Sequence, residues 1–246
     1  MTRIHPIAEQ GFGEAAAHYE RGRPGYPPAA LEHVVRRLEL GPGRTVIDLA
    51  AGTGKLTRPL LASGSEVIAV EPVAAMRAAL PEEATVLDGT AESIPVAAGA
   101  ADAVTVGQAF HWFDGDAALA EIHRVLRPGG ALALVWNRLV EEDPVGRAIE
   151  ALLAKHRPGV PTYREDAWRA AFEHTCLFGA LEERFFRNEQ TVDANGMADR
   201  VGSMSFIASL PSAERERVLD AARALASSGR VTIPYRTGVH VCNRLD

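Results

Sequence analysis

Between Thr45 and Trp136 the chain repeats one pattern: a short apolar run, a turn, an amphipathic stretch, then another apolar run. The apolar runs are Thr45–Ala50, Glu66–Val70, Thr85–Leu87, Ala101–Gly107 and Ala131–Trp136. Their length and bounding turn residues suit buried strands. Lys55–Ala62, Val73–Ala79 and Asp116–Leu126 read as helices, and in the last of these Leu119, Ile122 and Leu126 share a face. Strands that alternate with helices pair in parallel, because each crossover helix brings the chain back to start the next strand in the same direction. The expected class is therefore α/β, a sheet covered by helices on both faces. A chain of 246 residues has room for one such domain with an elaborated cap.

The flanks depart from the repeat. A short helix is expected over Phe12–Tyr19, then the turn-rich stretch Gly22–Pro28, where proline stops the helix and glycine allows a tight turn. Residues 29–40 read as an amphipathic helix with Leu31, Val34, Val35 and Leu38 on one face. After residue 140 the pattern predicts helices over Pro144–Lys155, Glu165–Thr175, Ala194–Ser205 and Pro211–Ala226. It predicts a strand over Leu181–Gln190 and a closing strand or hairpin over Val231–Asn243, with Pro234 at an edge or turn. The expected organisation is a single domain: N-terminal lid helices over 1–40, a cofactor-binding core over 41–140, and a C-terminal part over 141–246. In that last part the helices between 194 and 227 form a lid.

The strand–loop–helix Thr45-Val-Ile-Asp-Leu-Ala-Ala-Gly-Thr-Gly-Lys-Leu-Thr57 is the first candidate site. Ligands of doubly wound sheets bind outside the carboxyl ends of the strands, where the strand order reverses. Gly52 and Gly54 let backbone approach a ligand where a Cβ would obstruct it. A phosphate-binding P-loop needs two glycines five apart before Lys-Ser/Thr, but Leu49 stands at the first glycine position and Leu56 follows Lys55. A dinucleotide fingerprint starting at Gly52 fails at Thr57, and it leaves Asp48 unexplained. A carboxylate at that strand end suits a ligand with a cationic end, such as the ammonium and sulfonium of S-adenosylmethionine. Glu71, in Ile68-Ala-Val-Glu-Pro72, can accept both ribose hydroxyls of an adenosine, a feature shared by dinucleotide sites. Asp88, in Leu87-Asp-Gly-Thr-Ala-Glu92, ends the third strand in a polar turn that suits an adenine amino group. One such carboxylate could be a helix cap; three at successive strand ends beside a glycine loop are not explained as caps alone.

These elements, with Ala101-Asp-Ala-Val-Thr-Val-Gly-Gln-Ala-Phe-His-Trp-Phe113 and Leu126-Arg-Pro-Gly-Gly130, resemble the class I S-adenosylmethionine-dependent methyltransferases over residues 10–137. The resemblance implies a Rossmann-like fold with a largely parallel seven-stranded sheet and a helical lid. It also implies S-adenosylmethionine as cofactor and S-adenosylhomocysteine as product. Tyr19-Glu-Arg-Gly-Arg-Pro24, Phe110-His-Trp-Phe113 and Pro234-Tyr-Arg-Thr237 are similar to the branch that includes trans-aconitate methyltransferase and related small-molecule enzymes. By that resemblance Asp48, Gly52 and Gly54 line the methionine end, with Gln108 beside it. Glu71 holds the ribose; Thr90, Ala91 and Glu92 take the adenine side, and Pro72 and Met76 belong to the same site. The family usually has glycine where Ala50 stands; alanine there is tolerated if its φ is negative.

Tyr19 and Arg23 are placed to fold over the cofactor's carboxylate, since arginine binds carboxylates bidentately. Phe110–Phe113 follows the fourth strand, where aromatic faces favour a sulfonium and wall off water. His111 is the candidate catalytic base, and His111, Trp112, Arg138, Ser203 and Phe206 are candidate acceptor contacts. A general base is optional, because a carboxylate nucleophile needs none at neutral pH. Two other functions compete: a protein that binds S-adenosylmethionine without transferring its methyl group, and an NAD-dependent oxidoreductase. The latter is opposed by the presence of only two lysines, Lys55 and Lys155, with no Tyr-x-x-x-Lys.

The remaining composition narrows the partners. A formal net charge of −6 opposes a nucleic-acid-binding surface, which needs a basic footprint. His123 and the other histidines have no metal-ligand spacing, so no metal is expected. Cys176 and Cys242 suggest reduced thiols rather than a disulfide framework. No signal sequence or membrane-length apolar run is visible, and the expected location is the cytoplasm.

Overall fold

A computed structural model describes residues 20–157 and 167–246. The helix expected over Phe12–Tyr19 and the start of that expected at Glu165 lie outside the described residues. In chain order the elements are α1 (Pro28–Arg37), β1 (Thr45–Leu49), α2 (Thr57–Ala62), β2 (Glu66–Val70), α3 (Ala74–Arg77), β3 (Thr85–Leu87) and β4 (Ala101–Gly107). A 3₁₀ turn at Phe110–Trp112 leads to α4 (Gly115–Val125), β5 (Leu126–Leu139) and α5 (Pro144–Ala154). A second 3₁₀ turn, Ala167–Arg169, precedes α6 (Ala170–His174) and β6 (Glu182–Val192). The chain ends with α7 (Ala194–Gly202), α8 (Ser205–Ala208), α9 (Ser212–Ala224) and β7 (Val231–Asn243).

The strands form one seven-stranded sheet in the order β3-β2-β1-β4-β5-β7-β6. β1 pairs in parallel with both β2 and β4, so the winding reverses between β1 and β4. β7 runs antiparallel between β5 and β6. Alternate residues of the central strands face opposite layers. Ile47, Leu49, Val104, Val106, Leu132, Leu134 and Trp136 pack against Leu119 and Ile122 of α4. Val46, Ala103, Ala133, Val135 and Val239 pack against Val34 of α1 and Leu60 of α2. The helices between β6 and β7 build a third apolar cluster: Met197, Val201, Ile207, Val218 and Ala222 meet Leu139, Ile149, Leu153, Ile233 and Tyr235. No helix among the described residues is long and apolar enough to cross a membrane.

Three expectations change. The helix read over Ala194–Ser205 stops at Gly202, because Met204 is extended (φ −78°, ψ 127°) and α8 starts afresh. Ser203 donates its hydroxyl to the Arg200 carbonyl at 2.7 Å, a local side-chain bond of the kind that competes with helix continuation. The closing segment is one strand, not a hairpin. Pro234 fits there because β5 ends opposite Tyr235, so no strand residue faces the missing proline N–H on that side. Finally, β5 begins five residues earlier than read, at Leu126, with a register irregularity between Ala101 and Ala103 of its partner.

Candidate active site

At the reversal between β1 and β4 two non-glycine residues hold left-handed backbone, Ala50 (φ 56°) and Gln108 (φ 62°). Such strain costs roughly 1–2 kcal/mol for a residue with a Cβ and collects at functional positions. The condition attached to Ala50, a negative φ, is not met: the strand ends at Leu49 and the next residue takes the conformation glycine holds more easily. Gly52 (φ 58°) and Gly54 (φ 89°) complete the loop, and a Cβ on Gly54 would lie 3.1 Å from the Pro81 ring.

Asp48 sits beneath this loop, 1% exposed. Its carboxylate accepts hydrogen bonds from Thr57 Oγ1 at 2.6 Å and Thr105 Oγ1 at 3.2 Å. Burial pushes its pKa up to about 7, against the lowering effect of the two hydroxyls, with a further upward push from Glu71. It lines a cleft with Arg23, Tyr26, Ala50, Thr53, Lys55 and Gln108, so four of the sequence-derived site residues meet there. Gly107 belongs to the same wall; a Cβ on it would stand 2.6 Å from the Tyr26 hydroxyl.

The β2 end is joined to the loop by Glu71. One carboxylate oxygen accepts from the Gly52 amide and the other from the Val73 amide, both at 2.9 Å. Burial raises the Glu71 pKa, and the two amides oppose that rise. Pro72 follows, half-buried, and Met76 is buried in α3. Asp88 is exposed and paired with Arg77 at 3.0 Å. Ala91 is part of the core, and Glu92 accepts from the Asp114 amide at 3.1 Å, which ties this turn to the start of α4. Thr90 Oγ1 is buried without a hydrogen-bond partner among the described residues.

Residues 20–26 cross the cleft as a strap. Glu20 accepts from Thr53 Oγ1 at 2.5 Å, and its carbonyl accepts from Lys55 Nζ at 2.7 Å. The Gly22 carbonyl accepts from Gln190, and the Gly25 carbonyl from Asn137 and Asn188. Arg21 pairs with Asp199 at 2.8 Å. Arg23 reaches the Ser203 carbonyl at 3.4 Å and Met204 Sδ at 3.2 Å, so one side chain touches both the cleft and the lid. Tyr19 lies outside the described residues. Asn137, Asn188 and Gln190 were not singled out from the sequence, and Thr237 entered only within the motif Pro234-Tyr-Arg-Thr237; the available signal was Asn137, a polar residue closing the apolar run Ala131–Trp136.

His111 stands at the mouth with its ring 5.1 Å from that of Trp112. Burial, with the Arg23 charge adding to it, pushes its pKa down to about 3. The ring is neutral at ordinary pH, and a base so weak stores a proton poorly near neutrality. Arg138 is half-buried at the end of β5, beyond Trp136 on the same sheet face. The Ser203 hydroxyl is spent on the Arg200 carbonyl at the end of α7, and Phe206 packs in the lid under the Arg157 guanidinium, 5.8 Å from its ring centroid. The described residues contain no group of three or more His, Cys, Asp or Glu able to hold a metal.

An adenosyl cofactor with a charged amino-acid tail fits these residues. The cleft offers an anionic floor at Asp48 and a cationic wall at Arg23, and the unmatched Thr90 hydroxyl lies on the turn after β3.

Comparison with known proteins identifies the family and the fold. Residues 47–134, from mid-β1 to mid-β5, match the family model described as a methyltransferase domain. An uncharacterized methyltransferase of Mycobacterium bovis is 38% identical over 99% of this chain and 98% of its own length. An uncharacterized methyltransferase of Schizosaccharomyces pombe is 34% identical over 84% of this chain and 83% of its own. Among solved structures, a protein of Anaeromyxobacter dehalogenans described as a type II methyltransferase superposes with a TM-score of 0.64 at 24% identity. That match covers 90% of this chain and 96% of the other. A Haemonchus contortus phosphoethanolamine N-methyltransferase, solved with S-adenosylhomocysteine, covers all of this chain and 61% of that one, with a TM-score of 0.59 at 12% identity. The near-full-length relatives decide against the oxidoreductase reading, and the chain belongs to the class I S-adenosylmethionine-dependent methyltransferases.

Proposed function

We propose that the protein moves a methyl group from S-adenosylmethionine to a small acceptor through a carboxylate, phenol or amine nucleophile. The observation that carries the reading is the cleft at the β1/β4 reversal, which Asp48 and Arg23 line together with the two left-handed residues Ala50 and Gln108. In this reading Asp48 receives the cofactor's ammonium and Arg23 its carboxylate, a pairing of opposite charges in a partly dry site. Gln108 lies beside the methionine part. Glu71, already positioned by two amides, keeps lone pairs for the ribose hydroxyls. Thr90, Ala91 and Glu92, with Pro72 and Met76, form the adenine side, and Asp88 lies at its rim.

When bound, the cofactor supplies a methyl group already activated on a sulfonium. What the chain contributes is position and exclusion of water. His111 and Trp112 wall the mouth with apolar ring surface, and neutral His111 can accept or donate one hydrogen bond without carrying charge. Arg138, Ser203 and Phe206 remain acceptor-side candidates. A net charge of −6 favours a small molecule over nucleic acid as acceptor, and the composition suits the cytoplasm.

Isothermal titration with S-adenosylmethionine and S-adenosylhomocysteine tests the reading. Both should bind wild type, and Glu71→Gln and Asp48→Asn should each weaken binding at least tenfold. Unchanged affinity in both variants would overturn the site.

A further inference from the structure

We propose that Arg200, inside the lid, is a recognition residue for an oxyanion on the acceptor, a carboxylate or a phosphate. Arg200 is 4% exposed, yet among the described residues it has no acidic partner within ion-pair distance. Its Nε donates to the Tyr235 hydroxyl at 2.6 Å, and that hydroxyl donates to Gln190 at 3.1 Å. Its Nη1 is buried with no hydrogen-bond partner among the described residues. The adjacent carboxylate, Asp199, is engaged by Arg21. Its guanidinium carbon also lies 5.6 Å from the centroid of the Tyr235 ring, a partial compensation, but a buried guanidinium without a counter-ion is costly, and a fold keeps one where something else supplies the negative charge.

The position says what that something is. Arg200 lies one helical turn before Ser203 and Met204, which Arg23 touches from the cofactor cleft. Gly22 packs so closely on the Asp199–Arg200 backbone that a Cβ would come within 2.8 Å of the Arg200 amide nitrogen. Gln190 hydrogen-bonds both the Gly22 carbonyl and the Tyr235 hydroxyl that Arg200 touches. The guanidinium is thus fixed at Nε and leaves its fork of Nη donors for a planar or tetrahedral oxyanion, the geometry arginine matches best. Arg200 sets which acceptors enter the lid; it takes no part in the transfer itself.

The inference rests on the proposed methyl transfer to a small acceptor, and its test separates the two. Protein saturated with S-adenosylhomocysteine is titrated with succinate, with methyl phosphate and with neutral succinamide, for wild type, Arg200→Met and Arg200→Lys. Succinate, methyl phosphate or both should bind wild type and lose about tenfold or more in affinity in Arg200→Met, with part restored in Arg200→Lys. Which of the two binds names the oxyanion. Succinamide should bind none of them. Without added ligand Arg200→Met should melt above wild type, since it removes a buried charge that has no counter-ion among the described residues; a merely structural arginine would give a lower melting point. S-adenosylhomocysteine affinity should stay unchanged in both variants. Failure of wild type to bind S-adenosylhomocysteine would count against the cofactor site and not against Arg200. Anion binding that ignores the substitution, or no anion binding at all, overturns the proposal.

Discussion

At the scale of single residues, Asp48 combines a stability cost with a binding function. Its folded pKa of about 7 lies above the ordinary value of 3.8, so folding takes up a proton. The sign follows: no penalty exists below about pH 4, the penalty grows as pH rises toward 7, and it is constant above. Asp48→Asn should therefore raise the unfolding free energy of the cofactor-free protein at pH 8 by on the order of 2–4 kcal/mol and leave it nearly unchanged at pH 4. Urea melts at the two pH values check this. Cofactor affinity should run the opposite way, since an ammonium prefers ionised Asp48: binding of S-adenosylhomocysteine weakens as pH falls below about 7. Ala50 gives a second test. Relief of left-handed strain exceeds the entropy glycine adds to the unfolded chain, so Ala50→Gly should stabilise by up to about 1 kcal/mol, a rise of about 2–4 °C in Tm. A fall in Tm would show that the Ala50 methyl group contributes packing worth more than the strain. For His111, a pKa of about 3 means its ring resonances should show no titration between pH 5 and 9 by NMR. Asp48 and Glu71 were readable from sequence because strand-end carboxylates beside a glycine loop form a local pattern. The sign of φ at Ala50 was not, because it depends on where β1 stops.

At the scale of elements, the strands of the first half were legible nearly to the residue: β2, β3 and β4 run as the apolar runs indicate. Burial makes β4 a nearly continuous apolar segment of seven residues, and even the exposed edge strand β3 keeps a short apolar run, so the signal is local to each strand. The strap was not legible. Its anchors pair residues 33 to 181 positions apart, and no local period encodes such bonds. Asn137 is the hub. Its amide nitrogen donates to the Gly25 carbonyl at 3.1 Å, while its Oδ1 accepts from Thr237 at 2.6 Å and Asn188 at 3.0 Å. Asn137→Ala strands buried Thr237 and frees the strap, at a cost of about 2–3 kcal/mol. Because residue 23 rides on that strap, S-adenosylhomocysteine affinity should fall as well, and trypsin should cut after Arg21 faster than in wild type, while the Arg23–Pro24 bond resists it in both. Loss of stability with cofactor affinity intact would separate the strap from the cleft.

At the scale of the whole molecule, the sheet and the lid contribute to separate apolar clusters. The two clusters flanking the sheet contain the central strands, whereas the lid cluster draws on the sheet only through Leu139, Val192, Ile233, Tyr235 and Val231. The lid is also where sequence reading was weakest: its helices are short, one is broken at Ser203–Met204, and its chemistry depends on Arg200, whose meaning appears only once its surroundings are known. Elements that hold few connections to a core open before it does. Met197, fully buried, belongs to the lid cluster and to neither of the two sheet clusters. Met197→Ala should cost about 2–5 kcal/mol locally by leaving a cavity. Hydrogen exchange should then accelerate over residues 194–226 while amides of β1, β4 and β5 keep their protection. The affinity for S-adenosylhomocysteine should fall only as far as Arg23 loses its hold on Ser203 and Met204. If protection is lost equally in β1 and α7, the lid and the sheet unfold as one unit, and the acceptor must enter by a route other than opening of the lid.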